Sequence, residues 1–171
     1  MTDTETIKRG LAAFSETYDY DVSYAIELLD RSPGAFAAFA AAQPLGDYRS
    51  VLPKEAYWIA GFATMQAEDC GACAQLTLRM AIEDFMDRAL LARMLEAPSS
   101  LPGPLADVYA HACAVCKGAP DHAEREARLR AAYGDTGVAE LAVRIAGSRL
   151  YPTLKRALFK SSVCQEPSLD F

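Results

Sequence analysis

Apolar residues recur along this chain with a period near 3.6 and show no convincing alternation of period two, so the pattern predicts helix after helix and an all-α class. Ile7 to Tyr18 reads as a weak first helix or arm. Val22, Ala25, Ile26 and Leu29 mark the next, and Ser32-Pro33-Gly34 stops it while offering Ser32 as a cap for a short helix through Phe36, Phe39 and Ala40. Pro44 to Tyr48 reads as a loop. Pro53 precedes a helix with Trp58, Phe62 and Met65 on one face. The following helix runs from about Cys70 to about Leu95, with Leu78, Ile82, Phe85 and Ala89 on one face and Arg79, Glu83 and Asp87 opposite; it is long enough to bend or break. Pro98 to Pro104 is a loop inside one domain. Helices at Leu105 to Lys117 and Asp121 to Tyr133 follow. Gly134 to Gly137 reads as a turn in which Asp135 or Thr136 can cap the last long helix. There Val138, Leu141, Ala142 and Ile145 form the expected buried stripe, and Pro152 is expected to kink or divide the helix.

Length and composition narrow the picture. The 171 residues suit one domain, with an arm at 1–20, a helical core at 22–160 and a loose tail at 161–171. At 51% hydrophobic the chain can fill a sizeable core. A formal charge of -6 argues against nucleic acid as a partner, because a phosphate-binding face needs concentrated Lys and Arg. No apolar run reaches about 18 residues, so no membrane span is expected. Met1 to Thr6 is polar and acidic, unlike a signal peptide. With no secretion signal, an odd count of five cysteines fits a reducing cytoplasm better than a disulfide scaffold.

Chemistry-bearing residues gather at Met65 to Thr77. Cys70 and Cys73, spaced i and i+3, fall on neighbouring positions of a helical turn, where their sulfurs can exchange between dithiol and disulfide or share a metal. Asp69 reads as the N-cap, which places Cys70 in the first turn, where unpaired N–H groups and the helix dipole favour a thiolate. Glu68 and Asp69 oppose that charge. Cys113 and Cys116 form a second Cys-x-x-Cys, but 39 residues separate the pairs and both lie in helical patterns, so packing is favoured over a four-cysteine zinc site. Cys164 reads as an exposed free thiol.

The run Leu29 to Gly34, then Leu52-Pro53-Lys54-Glu55, then Cys70-Gly71-Ala72-Cys73, resembles the alkylhydroperoxidase D-like proteins of the carboxymuconolactone decarboxylase family, over roughly residues 22–160. The resemblance implies a helical domain that forms a homo-oligomer (dimer, trimer or hexamer), a small hydroperoxide substrate and a thiol reductant protein, with no cofactor and no metal. It makes Cys73 the peroxidatic thiol and Cys70 the resolving one, whereas the dipole argument favours Cys70 as the more acidic; both assignments stay open. The chain departs from the family at its proton relay. The family histidine falls at Thr77 and the glutamate at Trp58, and neither side chain serves as a base near neutral pH. A positioned acid or base contributes about 10²–10⁴-fold, so a slow peroxidase is expected unless Glu55, Glu68 or His111 substitutes. The alternative is a non-catalytic oligomeric interaction or small-ligand-binding module of the same fold. A lactone decarboxylase ranks last, since acid–base chemistry suffers more from the missing histidine.

Overall fold

In the computed structural model, which describes residues 4–119, 122–160 and 166–171, the described chain is helical and contains no strand. In order come α1 (Thr4–Tyr18), α2 (Ser23–Arg31), α3 (Pro33–Ala42), α4 (Pro44–Asp47), α5 (Lys54–Ala67), α6 (Gly71–Glu83) and α7 (Arg88–Glu96). A 3-10 turn at Pro98–Ser100 leads to α8 (Leu105–Cys116) and α9 (Ala123–Ala157). The all-α expectation holds.

The core is organised around α5. Every residue from Ala56 to Met65 is buried, because this helix is covered on all sides by α6, α8 and α9. Ile59, Phe62, Leu78, Leu91, Leu141 and Ile145 are among its largest fully buried side chains. Small residues let the covering helices come close. A Cβ on Gly147 in α9 would meet backbone atoms of α4 at 2.3 Å (Gly46 N) and 2.5 Å (Leu45 C), so α4 and α9 touch backbone to backbone. Ser32 caps α3 as expected, accepting from the Ala35 N–H at 3.3 Å.

Several boundaries differ from the pattern. Asp69 does not cap α6. It adopts a left-handed φ of 52° and closes α5: its N–H donates to the Gln66 carbonyl and that of Cys70 to the Met65 carbonyl, each at 3.0 Å, a Schellman motif. Cys70 itself is the N-cap of α6, one position outside the helix. The expected long helix from Cys70 ends at Glu83 by the same device, with Phe85 at φ 57° and the Met86 N–H bonded to the Ala81 carbonyl. Phe85, expected on a buried stripe, is therefore 87% exposed, and Ala89 is exposed in α7.

Pro44–Asp47 is a helical turn rather than a loop. The expected turn at Gly134 to Gly137 is a single non-helical residue, Gly134 (φ 65°, ψ 176°), kinking an otherwise continuous α9. Pro152 is buried inside α9 and does not divide it; Leu141 and Ile145 are buried as expected, while Ala142 is exposed. Residues 166–171 are not loose: the Gln75 amide exchanges two hydrogen bonds with the Ser168 backbone, and Arg79 and Arg88 lie over the Phe171 ring. Residues 161–165, and with them the Cys164 expectation, lie outside the described residues.

Candidate functional site

The end of α5 and the start of α6 bring Cys70 and Cys73 together. Their Cα atoms are 5.2 Å apart and their sulfurs form a disulfide. The two cysteines face different surroundings. Cys73, 2% exposed, helps to line an inner cavity of about 390 Å³ whose walls are largely aromatic: Tyr20, Tyr24, Phe39, Tyr57, Trp58 and Tyr151. Cys70 is half-buried and opens on a separate outer groove of about 350 Å³, shared with Gln66, Asp69, Tyr109, Cys113, Lys117 and Glu166. The disulfide thus lies between two concavities, with Cys73 on the inner one and Cys70 on the outer.

One polar group of the inner cavity reaches the Cys73 sulfur. The Tyr20 hydroxyl lies 3.6 Å from Cys73 Sγ. Burial pushes the Tyr20 phenol well above its ordinary pKa, so it is a hydrogen-bond donor rather than a base. The ammonium of Lys155, a buried residue, sits 4.2 Å from the centre of the Tyr20 ring and 5.2 Å from that of Tyr24; burial lowers the pKa of Lys155 and raises that of Tyr24 to about 12. A cation against the ring face draws electron density from the phenol and strengthens its O–H as a donor. Arg144, 7% exposed, also lines the cavity. Its Nε donates to the Tyr57 carbonyl at 3.3 Å and its Nη1 to the Gly46 carbonyl, and the guanidinium stacks 3.9 Å from the Tyr57 ring centre.

Of the auxiliary candidates, Thr77 alone reaches the inner cavity. Its hydroxyl donates to the Cys73 carbonyl at 2.9 Å, which fixes it within its own helix. Trp58 lines the same cavity, with its indole N–H donating to Asp84 at 2.8 Å. Glu68 is beside the motif but committed: its carboxylate pairs with Arg149 at 2.6 Å and with Arg156, which also donates to its carbonyl at 2.6 Å. Glu55 lies on the first turn of α5 and lines neither cavity. His111 lines a third groove, between α8 and the first half of α9, away from both cysteines of the disulfide.

Cys113 and Cys116 are half-buried on α8 and packed against the core, and burial raises both thiols above their ordinary pKa. Among the described residues no group of three or more His, Cys, Asp and Glu side chains is placed to hold a metal ion. No helix among them is long and apolar enough to cross a membrane.

Tyr20, Arg144 and Lys155 are missing from the sequence reading. One signal was present for Lys155. It falls on the same 3.6-residue phase as Leu141, Ile145, Ser148 and Pro152, all buried, so the apolar stripe of α9 continues through a lysine. Protein-family models, curated proteins and solved structures were all compared with the chain, and none matches it.

Proposed function

We propose that the protein is a thiol-dependent oxidoreductase in which Cys70 and Cys73 cycle between dithiol and disulfide, with a hydroperoxide as the oxidant. The observation that carries this reading is the placement of Cys73 in the lining of a cavity rich in aromatic side chains, 3.6 Å from the hydroxyl of a buried phenol that keeps its proton. A hydroperoxide admitted to the cavity meets Cys73 first. The Cys73 thiolate attacks the distal peroxide oxygen; the O–O bond breaks, an alcohol leaves with one proton, and the sulfur becomes a sulfenic acid. The Cys70 thiol then attacks that sulfur, water leaves, and the disulfide forms. One thiolate of an external dithiol attacks Cys70 from the outer groove and releases Cys73 as the thiolate; the reductant's second thiol then attacks its own sulfur in the mixed disulfide, freeing Cys70 and leaving the reductant as a disulfide. This order agrees with the roles implied by the resemblance to alkylhydroperoxidase D-like proteins. The homo-oligomer, the reductant protein and the cytoplasmic setting rest on sequence alone.

Tyr20 takes over one task of the missing histidine and glutamate. A phenol hydrogen-bonded to the thiolate stabilises the charged form without removing a proton, so it lowers the thiol pKa; the departing alkoxide takes up a proton from solvent, matching the one Cys73 lost on ionising. Reduced protein treated with stoichiometric organic hydroperoxide should lose two thiols faster than free cysteine does, with mass mapping placing the product at Cys70–Cys73. Tyr20→Phe should slow the loss by about tenfold or more and raise its pH midpoint. Loss no faster than free cysteine would leave the second reading, a ligand-binding module of the same fold, which the commitment of Glu68 to two arginines favours.

A further inference from the structure

Two buried cations stand in and behind the inner cavity, Arg144 in its lining and Lys155 packed against the rings of Tyr20 and Tyr24, with Asp21 acting on Lys155 from beyond ion-pair distance. Arg144 and Lys155 are 7% and 3% exposed, and among the described residues neither has a carboxylate at ion-pair distance. The two buried acids are used elsewhere: Glu140 accepts from the N–H groups of Ser50, Val51 and Leu52, and Glu68 is held by Arg149 and Arg156. A buried cation is ordinarily paired, because desolvation is costly unless an opposite charge compensates it.

The guanidinium is also only partly satisfied. Nε and Nη1 each find a carbonyl, while Nη2 donates to nothing among the described residues. Space for it is kept by Gly61 in α5, where a Cβ would come within 2.2 Å of Nη2. Arg144 lines the aromatic cavity with its face stacked on Tyr57 and one nitrogen without a partner among the described residues, a donor that a planar acceptor can use. Asp47, exposed and on the same wall, is the one acid whose charge acts on Arg144, and it does so from beyond ion-pair distance.

We infer that the inner cavity binds a small apolar molecule bearing one carboxylate, with the carboxylate on Arg144 and the apolar body among the aromatic walls. At about 390 Å³ the cavity lies toward the lower end of the size range of small-molecule sites, roughly 300–1,000 Å³, and holds a single such ligand. The body then extends toward Cys73, so under the thiol chemistry proposed above the oxidisable substrate is a hydroperoxide of an organic acid. The binding inference itself does not require that chemistry.

Trp58, the chain's one tryptophan, lines the cavity and reports on its occupancy. Hexanoate, octanoate and decanoate are titrated into the full-length oxidised protein, each beside its methyl ester, and Trp58 emission is followed. The acids should give a saturable change at concentrations about tenfold or more below those of their esters, the scale of one charge-assisted contact. Arg144→Gln should bring acid and ester together. A buried arginine can be needed for folding, so Asp47→Asn, at an exposed position, supplies the second arm: removing a like charge should tighten acid binding about twofold or more and leave the ester unchanged. Equal affinity for acid and ester, no saturable change, or indifference to Asp47→Asn would each overturn the assignment. Binding is read without turnover, so a lack of peroxidase activity leaves this inference standing, and a lack of binding leaves the thiol reading standing.

Discussion

Gly147→Ala tests the packing that holds the cavity together. On helix propensity alone the change stabilises: Gly147 is in the interior of α9, where alanine is favoured by about 1 kcal/mol. The structure predicts the opposite sign. The new Cβ would lie 2.3 Å from Gly46 N, against an ordinary contact of 3.4 Å or more, and the obstructing atoms are backbone that no rotamer change removes. α4 must retreat by about 1 Å, and it carries the Gly46 carbonyl that accepts from Arg144 and, at 2.7 Å, from the Tyr57 hydroxyl. Overpacking costs about 1–3 kcal/mol. Weakening a buried hydrogen bond to a charged donor adds about 1–2 kcal/mol. After the propensity gain, a net loss of about 2–3 kcal/mol remains, which for a domain of this size lowers Tm by roughly 5–10 °C. Thermal and urea unfolding followed by far-UV circular dichroism measure it, with an unchanged m value showing that the native and unfolded states are still comparable. Gly10→Ala in α1 is the control: nothing lies within 4 Å of its Cβ, so no loss is expected. An unchanged or raised Tm for Gly147→Ala would refute the backbone contact and with it the argument that places Arg144.

Glu140→Gln should cost about 2 kcal/mol at neutral pH, since the carboxylate accepts from the N–H groups of Ser50, Val51 and Leu52 at 2.9–3.1 Å. Burial alone would raise Glu140, but the three backbone donors outweigh it and hold the carboxyl below its ordinary pKa. A depressed folded pKa stabilises above the unfolded value near 4.3 and is lost as pH falls through the folded one, so urea titrations should show the gap between wild type and variant closing below about pH 4. Phe85→Gly should stabilise by about 1 kcal/mol: the ring is 87% exposed and contributes little packing, while φ 57° strains any residue with a Cβ. A lower urea midpoint would show that the Phe85 ring makes a contact worth more than the strain.

Helix phase was legible and helix ends were not, for a physical reason. Periodicity placed Leu78, Leu141 and Ile145 in the core because burial of a stripe is what the period encodes. The stops at Asp19, Asp69, Phe85 and Phe159 all use left-handed residues where glycine is the usual signal, and Gly118, after α8, is the one conventional case among these closures. A phenylalanine at 87% exposure in such a position looks, in sequence, like a core residue. The same limit hid the site. Cys70 and Cys73 were evident from spacing, but the phenol beside the inner sulfur comes from residue 20, outside any helix, and the cation on its ring from residue 155, a lysine continuing an apolar stripe. Pattern reading assigns a lysine to solvent unless something tells it otherwise.

A disulfide set between two concavities has a consequence for steady-state behaviour. Under the thiol chemistry proposed above, an oxidant meeting Cys73 and a reductant meeting Cys70 would occupy different concavities of the molecule. An enzyme with one shared entrance must empty it between half-reactions, so each substrate inhibits the other at high concentration. Here the two need not exclude one another. Raising the dithiol should leave kcat/KM for the hydroperoxide unchanged, and neither substrate should inhibit at high concentration.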